Sequence, residues 1–326
     1  MNATLLAVLA ALLAWALTGL YARAMTAACR LELPSERGMH AIAVPSGAGI
    51  AIVAAALILW PVSHGLALES AYVLLLGVTA GLAGVSWVDD HRRLSPAVRL
   101  TAHALAVTVL LASLGPDQRL LPVAFPLYIE RVLLGLAWLW FINLFNFMDG
   151  IDGLAGCEAI AMAIGYLAVV IAAGFDTPLS DLALIVAAAA GGYLVWNWHP
   201  ARVFMGDAGS IPLGFLLGWL MIDLGFRGYW PAAAILPLYF ATDATLTLFK
   251  RVLRGEKPWQ PHRDHFYQRA VLGGATPPAV VWRVNAVNAL LIILAVLSKR
   301  FPALALIAAA TAVAALLVHL ERLARG

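Results

Sequence analysis

Charged residues are scarce in this 326-residue chain, and cysteine is nearly absent. Only 12% of the residues are Asp, Glu, Lys or Arg, about half the share found in ordinary soluble domains. This scarcity argues against a soluble fold. There are only two cysteines, Cys29 and Cys157, and they lie far apart in the sequence. Because they have neither the spacing of a thiol-redox motif nor that of a zinc site, a disulfide scaffold and a structural zinc site are both disfavoured, and we interpret both residues as packing thiols.

Apolar residues make up 63% of the chain. That is enough for about eleven spans of ~20 residues across a hydrocarbon core roughly 30 Å thick. Because backbone N–H and C=O groups in lipid must be bonded within the segment, uninterrupted apolar runs predict helices. The sequence predicts an all-α polytopic membrane protein, a bundle of about 11 transmembrane helices forming one domain over residues 1–326. The predicted spans are 4–22, 48–66, 71–88, 99–115, 131–148, 154–174, 181–197, 211–226, 229–249, 280–297 and 301–319.

The positions of Lys and Arg predict the orientation of the bundle. With the amino terminus outside, 16 of the 21 basic residues fall on one face, and loops rich in Lys and Arg stay in the cytoplasm. The net charge of +3 follows this membrane pattern, so we expect contact with membrane lipid and no nucleic-acid partner. The predicted cytoplasmic loops are about 23–47, 89–98, 149–153, 198–210 and 250–279.

Four polar segments stand at the ends of apolar runs, and two predicted spans separate each segment from the next. They run from Val88 to Arg93, from Asn143 to Gly153, from Arg202 to Ser210 and from Pro261 to Arg269. Because two crossings return the chain to the side it left, all four segments face one compartment, which the basic residues make the cytoplasm. We therefore expect them to converge on one site at the cytoplasmic face.

The residue types in these segments indicate phosphoryl transfer. Up to five carboxylates come together there, those of Asp89, Asp90, Asp149, Asp152 and Asp207. Such a group repels itself unless a cation neutralises it. Carboxylate oxygens with the amide oxygen of Asn146, and no thiolate or clustered His ligands, favour Mg²⁺ or Mn²⁺. The basic loop from Lys250 to Arg269 offers ligands for phosphate oxygens, and a divalent cation beside Arg and His recurs in phosphoryl transfer.

Each feature also has a structural interpretation. The Asp-Asp pair fits a solvated helix end, Asp-Gly-Ile-Asp-Gly fits a turn, and the stretch from Gly206 to Ser210 fits a capped helix start. The basic loop fits attraction to anionic lipid, and the stretch from Gly47 to Gly49 fits close packing of helices. Asp243, about 10 Å into the membrane, is either a functional acid or a partner of a neighbour within the bundle.

The four motifs together resemble those of the polyprenyl-phosphate N-acetylhexosamine-1-phosphate transferases, glycosyl transferase family 4, which includes phospho-N-acetylmuramoyl-pentapeptide transferase. The resemblance runs from about Pro34 to Arg269. It implies that a UDP-activated N-acetylhexosamine gives its sugar 1-phosphate to a polyprenyl phosphate, undecaprenyl phosphate in bacteria, with release of UMP. It also implies a Mg²⁺ cofactor, with Mn²⁺ as the alternative, and a multi-pass protein of the bacterial inner membrane. A homodimer is left open.

The resemblance implies a role for each motif residue. Asp89 and Asp90 match the family's Asp-Asp pair near the acceptor phosphate, and with Asp149 they are the expected catalytic residues. Asp207 and Asn146 match the residues of the metal site. The expected substrate-binding residues are Asp152 in the Asp-Gly-x-Asp-Gly stretch, Phe204 against uracil, and His262, Arg263 and His265 on the donor diphosphate.

Two stretches depart from the family pattern. Residues 45–49 read Pro-Ser-Gly-Ala-Gly where many relatives have Pro-Arg-Gly-Gly-Gly, so an expected basic contact is missing. Residues 262–269 lack the triple His of the muramoyl-pentapeptide enzymes, which favours an enzyme that initiates O-antigen or another surface polysaccharide. Phospho-N-acetylmuramoyl-pentapeptide transferase is the alternative within the family. An ion-coupled transporter, the alternative from another class, is disfavoured because nearly all the motif acids lie at span ends rather than near the bilayer midplane.

Overall fold

The chain folds into a bundle of helices. The computed structural model describes residues 1–31, 43–92, 94–257, 260 and 262–325. Some residues of the predicted loops and motifs lie outside these ranges, among them Pro34, Arg37, Arg93 and Pro261. Within the described ranges there are 13 α-helices and no β-sheet. They are α1 (Ala3–Ala27), α2 (Ile50–Ser63), α3 (Ser70–Arg92), α4 (Pro96–Ala112), α5 (Leu127–Phe147), α6 (Leu154–Ala173), α7 (Leu179–Asn197), α8 (Asp207–Phe226), α9 (Trp230–Ile235), α10 (Leu238–Leu253), α11 (Phe266–Leu272), α12 (Pro277–Leu297) and α13 (Pro302–Leu323).

Eight helices in the described part of the chain are long and apolar enough to cross a membrane: α1, α3, α5, α6, α7, α8, α12 and α13. This finding agrees with the predicted polytopic membrane protein and does not confirm its count of eleven spans. Helices α2 and α4 have 14 and 17 residues, or about 21 and 26 Å at 1.5 Å per residue. The predicted span 229–249 is two helices, α9 and α10, because Pro237 lacks an N–H and its ring clashes with the preceding turn.

Helix α8 is the central helix of the bundle. Of its 20 residues 17 are buried, and it packs against α2, α3, α5, α6 and α9. A helix that is apolar all round is expected in such an enclosed place. Helix α1 lies at the outside, with 5 of 25 residues buried. The position of α8 brings its first residue, Asp207, to the middle of one end of the bundle.

Residues 45–49, just before α2, pair with the loop that leads into α8. The Phe204 N–H donates to the carbonyl of Pro45 (2.8 Å), and the Ala48 N–H donates to the carbonyl of Phe204 (3.0 Å). The Tyr21 hydroxyl at the end of α1 donates to the carbonyl of Ser46 (2.8 Å). The early loop is therefore a main-chain support for the third polar segment.

Gly49, the residue just before α2, touches Gly209 in the first turn of α8. A Cβ on Gly49 would lie 2.8 Å from the Gly209 Cα, and a Cβ on Gly209 would lie 2.5 Å from the Gly49 Cα. Neither position has space for a side chain, because both neighbours are backbone. The helix-packing interpretation of the early glycines is confirmed at Gly49.

Candidate active site

Asp90 at the end of α3 caps the start of α8. The Asp207 N–H donates to Asp90 Oδ1 and the Ala208 N–H donates to Asp90 Oδ2, both at 3.0 Å. The first N–H groups of a helix have no partner within it, and a carboxylate there also meets the positive end of the helix dipole. Asp90 therefore fixes the position of Asp207, although the two residues are 117 positions apart in sequence.

Gly206, the residue before α8, has a φ of +67°, which glycine adopts without strain. A Cβ at this position would lie 2.5 Å from the Gly47 nitrogen and 2.9 Å from Asp90 Oδ2. Both the backbone turn and the close approach of Asp90 therefore require glycine here.

The cap leads to a stability prediction for Asp90. Alanine would leave two enclosed N–H groups without their acceptor, each costing about 1 to 2 kcal/mol, whereas asparagine keeps one acceptor oxygen. We expect Asp90→Ala to lower the unfolding temperature in detergent clearly, and Asp90→Asn to lower it about half as much. Asp117→Ala, at an exposed loop residue, is the control. Equal unfolding temperatures for wild type and Asp90→Ala would refute the cap.

Arg99 joins Asp89 to Asp207. Its Nη1 atom donates to Asp89 Oδ2 at 3.2 Å and to Asp207 Oδ2 at 3.4 Å. Asp89 is buried, with 7% of its side chain exposed, while 37% of the Arg99 side chain is exposed. The side chain of Asp207 interacts with those of both Asp89 and Asp90. The structure therefore brings together three of the predicted acids and one guanidinium.

Asn146, at the end of α5, contacts the first turn of α8 through Ser210. The Ser210 hydroxyl oxygen lies 2.6 Å from Asn146 Oδ1 and 3.0 Å from the carbonyl oxygen of Gly206. A hydroxyl carries one hydrogen and cannot donate to both acceptors. With the amide turned by 180°, the Asn146 Nδ2 donates to Ser210, the hydroxyl donates to Gly206, and Oδ1 becomes available to another ligand.

Asp152 holds the loop between α7 and α8. Its Oδ2 accepts the Ala201 N–H at 3.0 Å and lies 2.7 Å from His199 Nδ1. Asn197, buried at the end of α7, accepts the Gly153 N–H on Oδ1 (3.0 Å) and donates from Nδ2 to the carbonyl of Val203 (2.9 Å). These contacts tie the second polar segment to the third.

Helix α11 connects the second segment to the fourth. The Tyr267 hydroxyl donates to the carbonyl of Phe147 at 3.2 Å and lies against Gly150. Burial, followed by the charges of Asp243 and Asp149, raises the pKa of Tyr267 well above its ordinary value. Asp149 itself donates its N–H to the carbonyl of Asn146 at 3.2 Å.

Asp243 binds the start of α11. This fully buried carboxylate accepts the N–H groups of Phe266 (3.1 Å) and Tyr267 (3.4 Å). His265 Nδ1 lies 3.3 Å from its Oδ1. Of the two interpretations of Asp243, pairing within the bundle is confirmed, and the partner is the histidine loop.

Acids pair with several of the basic residues that surround the histidine loop. Arg251 contacts Asp264 and lies 2.7 Å from Glu256, and Arg254 Nη2 donates to Asp264 at 3.3 Å. A pocket of about 270 Å³ opens beside them. Its lining residues are Thr247, Lys250, Arg254, Asp264, Phe266 and Arg269. The loop is thus an ion-pair network rather than a bare basic patch.

His262 is a neutral imidazole at neutral pH. Burial, with the charges of His265 and Arg251, lowers its pKa from 6.5 to about 4. Its Nδ1 also accepts the Asp264 N–H at 3.3 Å, which requires an unprotonated nitrogen. The proton of the neutral ring is therefore on Nε2, from which His262 can donate a hydrogen bond to a substrate, but the ring brings no positive charge.

The lowered pKa of His262 makes the fold sensitive to acid. The unfolded chain binds this proton near pH 6.5 and the folded chain only near pH 4, so the stabilisation is complete above pH 6.5 and falls as the pH drops toward 4. The loss approaches about 3 kcal/mol. We expect the unfolding temperature of wild type to fall further between pH 7.5 and pH 5 than that of His262→Gln. His319→Gln, at an exposed residue of α13, should follow wild type. Parallel curves for all three proteins would contradict this prediction.

Two residues of the site were absent from the sequence prediction. In the sequence, Arg99 was counted only among the 16 basic residues of the predicted cytoplasmic face. In the structure it lies in the first turn of α4, which Ser95 caps. A cation near a helix N-terminus opposes the helix dipole, and that conflict is a signal for a functional residue. The signal for Asn197 is weaker, a single amide at the end of an apolar run.

The donor set fits a magnesium ion bound together with substrate. Among the described residues, no three His, Cys, Asp or Glu side chains are placed to hold a metal ion. Mg²⁺ needs no such cage, since it commonly takes one or two carboxylates, substrate phosphates and water. Asp207, Asp89 and the amide oxygen of Asn146 meet that requirement. The assignments of the metal ligands, and of Phe204 and Arg263 as substrate contacts, stay predictions.

Comparison with known proteins agrees with the sequence motifs. The sequence profile of glycosyl transferase family 4 matches residues 72–225, which include the first three polar segments and end before the histidine loop. A probable undecaprenyl-phosphate N-acetylglucosaminyl 1-phosphate transferase of Bacillus subtilis is 27% identical over 75% of this chain and 70% of its own length. An undecaprenyl-phosphate alpha-N-acetylglucosaminyl 1-phosphate transferase of Escherichia coli is 27% identical over 82% of this chain and 76% of its own.

A shorter match is closer in sequence. A phospho-N-acetylmuramoyl-pentapeptide-transferase of Moorella thermoacetica is 45% identical over 24% of this chain and 25% of its own length. Together with the helical bundle and the acids gathered at its end, these matches support membership of glycosyl transferase family 4, whose named relatives are sugar 1-phosphate transferases.

Proposed function

We propose that this protein transfers an N-acetylhexosamine 1-phosphate from a UDP-sugar to undecaprenyl phosphate, giving polyprenyl-diphospho-sugar and UMP. The observation that carries the proposal is the meeting of Asp89, Asp207 and Asn146 at one end of an apolar bundle. A lipid acceptor reaches such a place from the membrane and a nucleotide donor reaches it from water. The names of the relatives that cover most of the chain support the same reaction.

The reaction is a direct displacement at phosphorus. An oxygen of the acceptor phosphate attacks the β-phosphorus of the donor, which carries the sugar. The bond from that phosphorus to the bridging oxygen breaks, and UMP leaves with the electron pair. A phosphate monoester has a second pKa near 6 and is mostly a dianion at neutral pH, so the acceptor needs little help from a base. The larger barrier is the repulsion between two dianionic groups.

The geometry supports different roles for the two neighbouring acids. Asp89 positions the acceptor and takes a proton where one is present. Both oxygens of Asp90 accept main-chain N–H groups, so its role is to place Asp207. A Mg²⁺ ion on Asp207 and Asn146 would supply charge neutralisation for the diphosphate and the leaving UMP. Arg263 and His262, in the loop before α11, would bind that diphosphate, with Phe204 against the uracil.

The donor we propose is a UDP-N-acetylhexosamine such as UDP-GlcNAc. The N-acetylglucosaminyl relatives match 75% and 82% of this chain, whereas the muramoyl-pentapeptide relative matches 24%. The reaction would be the first membrane step of an O-antigen-like surface polysaccharide. The basic residues support an inner-membrane location with the site in the cytoplasm.

The test is UMP release by the purified full-length protein. The assay contains undecaprenyl phosphate, Mg²⁺ and either UDP-GlcNAc, UDP-GalNAc or UDP-MurNAc-pentapeptide. We expect UMP release with an N-acetylhexosamine donor only when the lipid phosphate is present, loss of the signal in EDTA, and recovery with Mg²⁺ or Mn²⁺ but not Zn²⁺. Turnover with the pentapeptide donor alone would favour the muramoyl alternative. Absence of UMP with every donor would refute the proposal, and full activity in EDTA would refute its metal.

A further inference from the structure

Arg99 lies between Asp207, on which the proposed metal would bind, and the neighbouring carboxylate of Asp89. One guanidinium nitrogen, Nη1, contacts Oδ2 of Asp89 on α3 and Oδ2 of Asp207 on α8. Two ionised acids from separate helices repel each other at this distance unless a cation or a shared proton lies between them. In the described structure that cation is the side chain of Arg99, which reaches in from the first turns of α4.

A divalent cation and this guanidinium compete for the same oxygens. A metal bound to Asp207 beside Asp89 would stand a few ångströms from the Nη1 position, and the repulsion between a dication and a guanidinium at that distance is large even at a protein surface. Removal of the guanidinium would therefore strengthen metal binding by its two partners. Displacement is also inexpensive, because 37% of the Arg99 side chain is already in contact with solvent.

We propose that Arg99 is the resident counter-ion of the Asp89 and Asp207 pair and that a divalent cation binds there by displacing it. The proposal rests on the metal of the proposed function and goes beyond it. Arg99 would then be a positioning residue that holds the acids of α3 and α8 in register in the absence of metal and sets the metal affinity of the site.

The experiment measures Mn²⁺ binding directly, from the electron paramagnetic resonance signal of free Mn²⁺ over purified full-length protein in neutral detergent. We expect Arg99→Met to bind Mn²⁺ about tenfold or more tightly than wild type, since a competing charge is gone. Arg99→Lys, which keeps the charge, should stay within about threefold of wild type. Arg202→Met is the matched control for net charge, since Arg202 contacts the Val195 carbonyl and the Trp196 ring rather than an acid; it should not change the affinity.

A second measurement covers loss of stability. If Arg99→Met unfolds at a lower temperature in EDTA, Mn²⁺ is expected to restore it, because the metal then neutralises the two acids. A defect that Mn²⁺ does not restore overturns the proposal. So does an affinity that is unchanged or weaker in Arg99→Met, or a failure of wild type and variant alike to bind Mn²⁺.

The transfer assay on the same preparations separates this proposal from the proposed function. A wild-type protein that binds Mn²⁺ less tightly than Arg99→Met and releases no UMP supports the counter-ion and contradicts the transferase. A wild-type protein that releases UMP while Arg99→Met loses Mn²⁺ affinity contradicts the counter-ion alone.

Discussion

Asp207→Asn is expected to reduce kcat by about a thousandfold or more while the protein still inserts and purifies. The change removes one negative charge from the proposed metal site and barely alters the volume of the side chain. The main-chain N–H of residue 207 is unchanged, so Asp90 still caps α8. Loss of several kcal/mol of charge stabilisation in the transition state corresponds to a factor of this size. Steady-state UMP release at saturating Mg²⁺ measures it.

The control for this substitution is Asp117→Asn. Asp117 is exposed in the loop between α4 and α5, at the opposite end of the bundle, so the same chemical change there should leave kcat unaltered. Unfolding temperatures of both variants should match wild type within a few degrees. Normal turnover of Asp207→Asn at saturating Mg²⁺ would remove Asp207 from the site.

Arg263→Ala is expected to lower kcat/KM by about 10- to 150-fold, or about 1.5 to 3 kcal/mol. The reason is the loss of a charge-assisted contact that strengthens as charge builds on the leaving UMP. The two residues that follow Arg263 are anchored, Asp264 by Arg251 and His265 by Asp243. An alanine at position 263 should therefore remove the guanidinium without moving the loop.

Lys250→Ala is the matched comparison for Arg263→Ala. Lys250 lies over the Phe266 ring at 4.4 Å and lines the neighbouring pocket, so its loss should change kcat/KM by less than about threefold. If the loop only attracts anionic lipid, each cation contributes about 1 kcal/mol and the two variants should behave alike. Kinetics in neutral detergent, without anionic lipid, distinguishes these cases. Equal and small losses would mean that this loop does not bind the donor.

Much of the helical architecture was predictable, because lipid leaves an apolar run few alternatives to a helix. The prediction placed helices close to α3, α6, α7 and α12 within a few residues. It was wrong for the single span 229–249, where hydropathy continues through Pro237 although the helix breaks. Hydropathy also does not show where a helix ends within an apolar run. In the run 48–66, for example, only residues 50–63 are helical.

Convergence of the polar segments was predictable from the even number of spans between them. The partners of each acid were not. A sequence names Asp90, Asp152 and Asp243 as acceptors but does not say which main-chain N–H groups, 23 to 118 residues away, they accept. Arg99 was missed for the same reason, since its two partners lie on different helices.

The N–H contacts of these three acids bear on how far the protein can diverge in sequence. Every residue except proline offers the same main-chain donor, so the side chains at positions 201, 208 and 266 can change without loss of the bond to Asp152, Asp90 or Asp243. These hydrogen bonds constrain the acids, whereas the buried side chains of the residues they bind are constrained by packing and not by the bond itself. Such a frame can survive extensive drift, which is consistent with identities as low as 27% across three quarters of the chain.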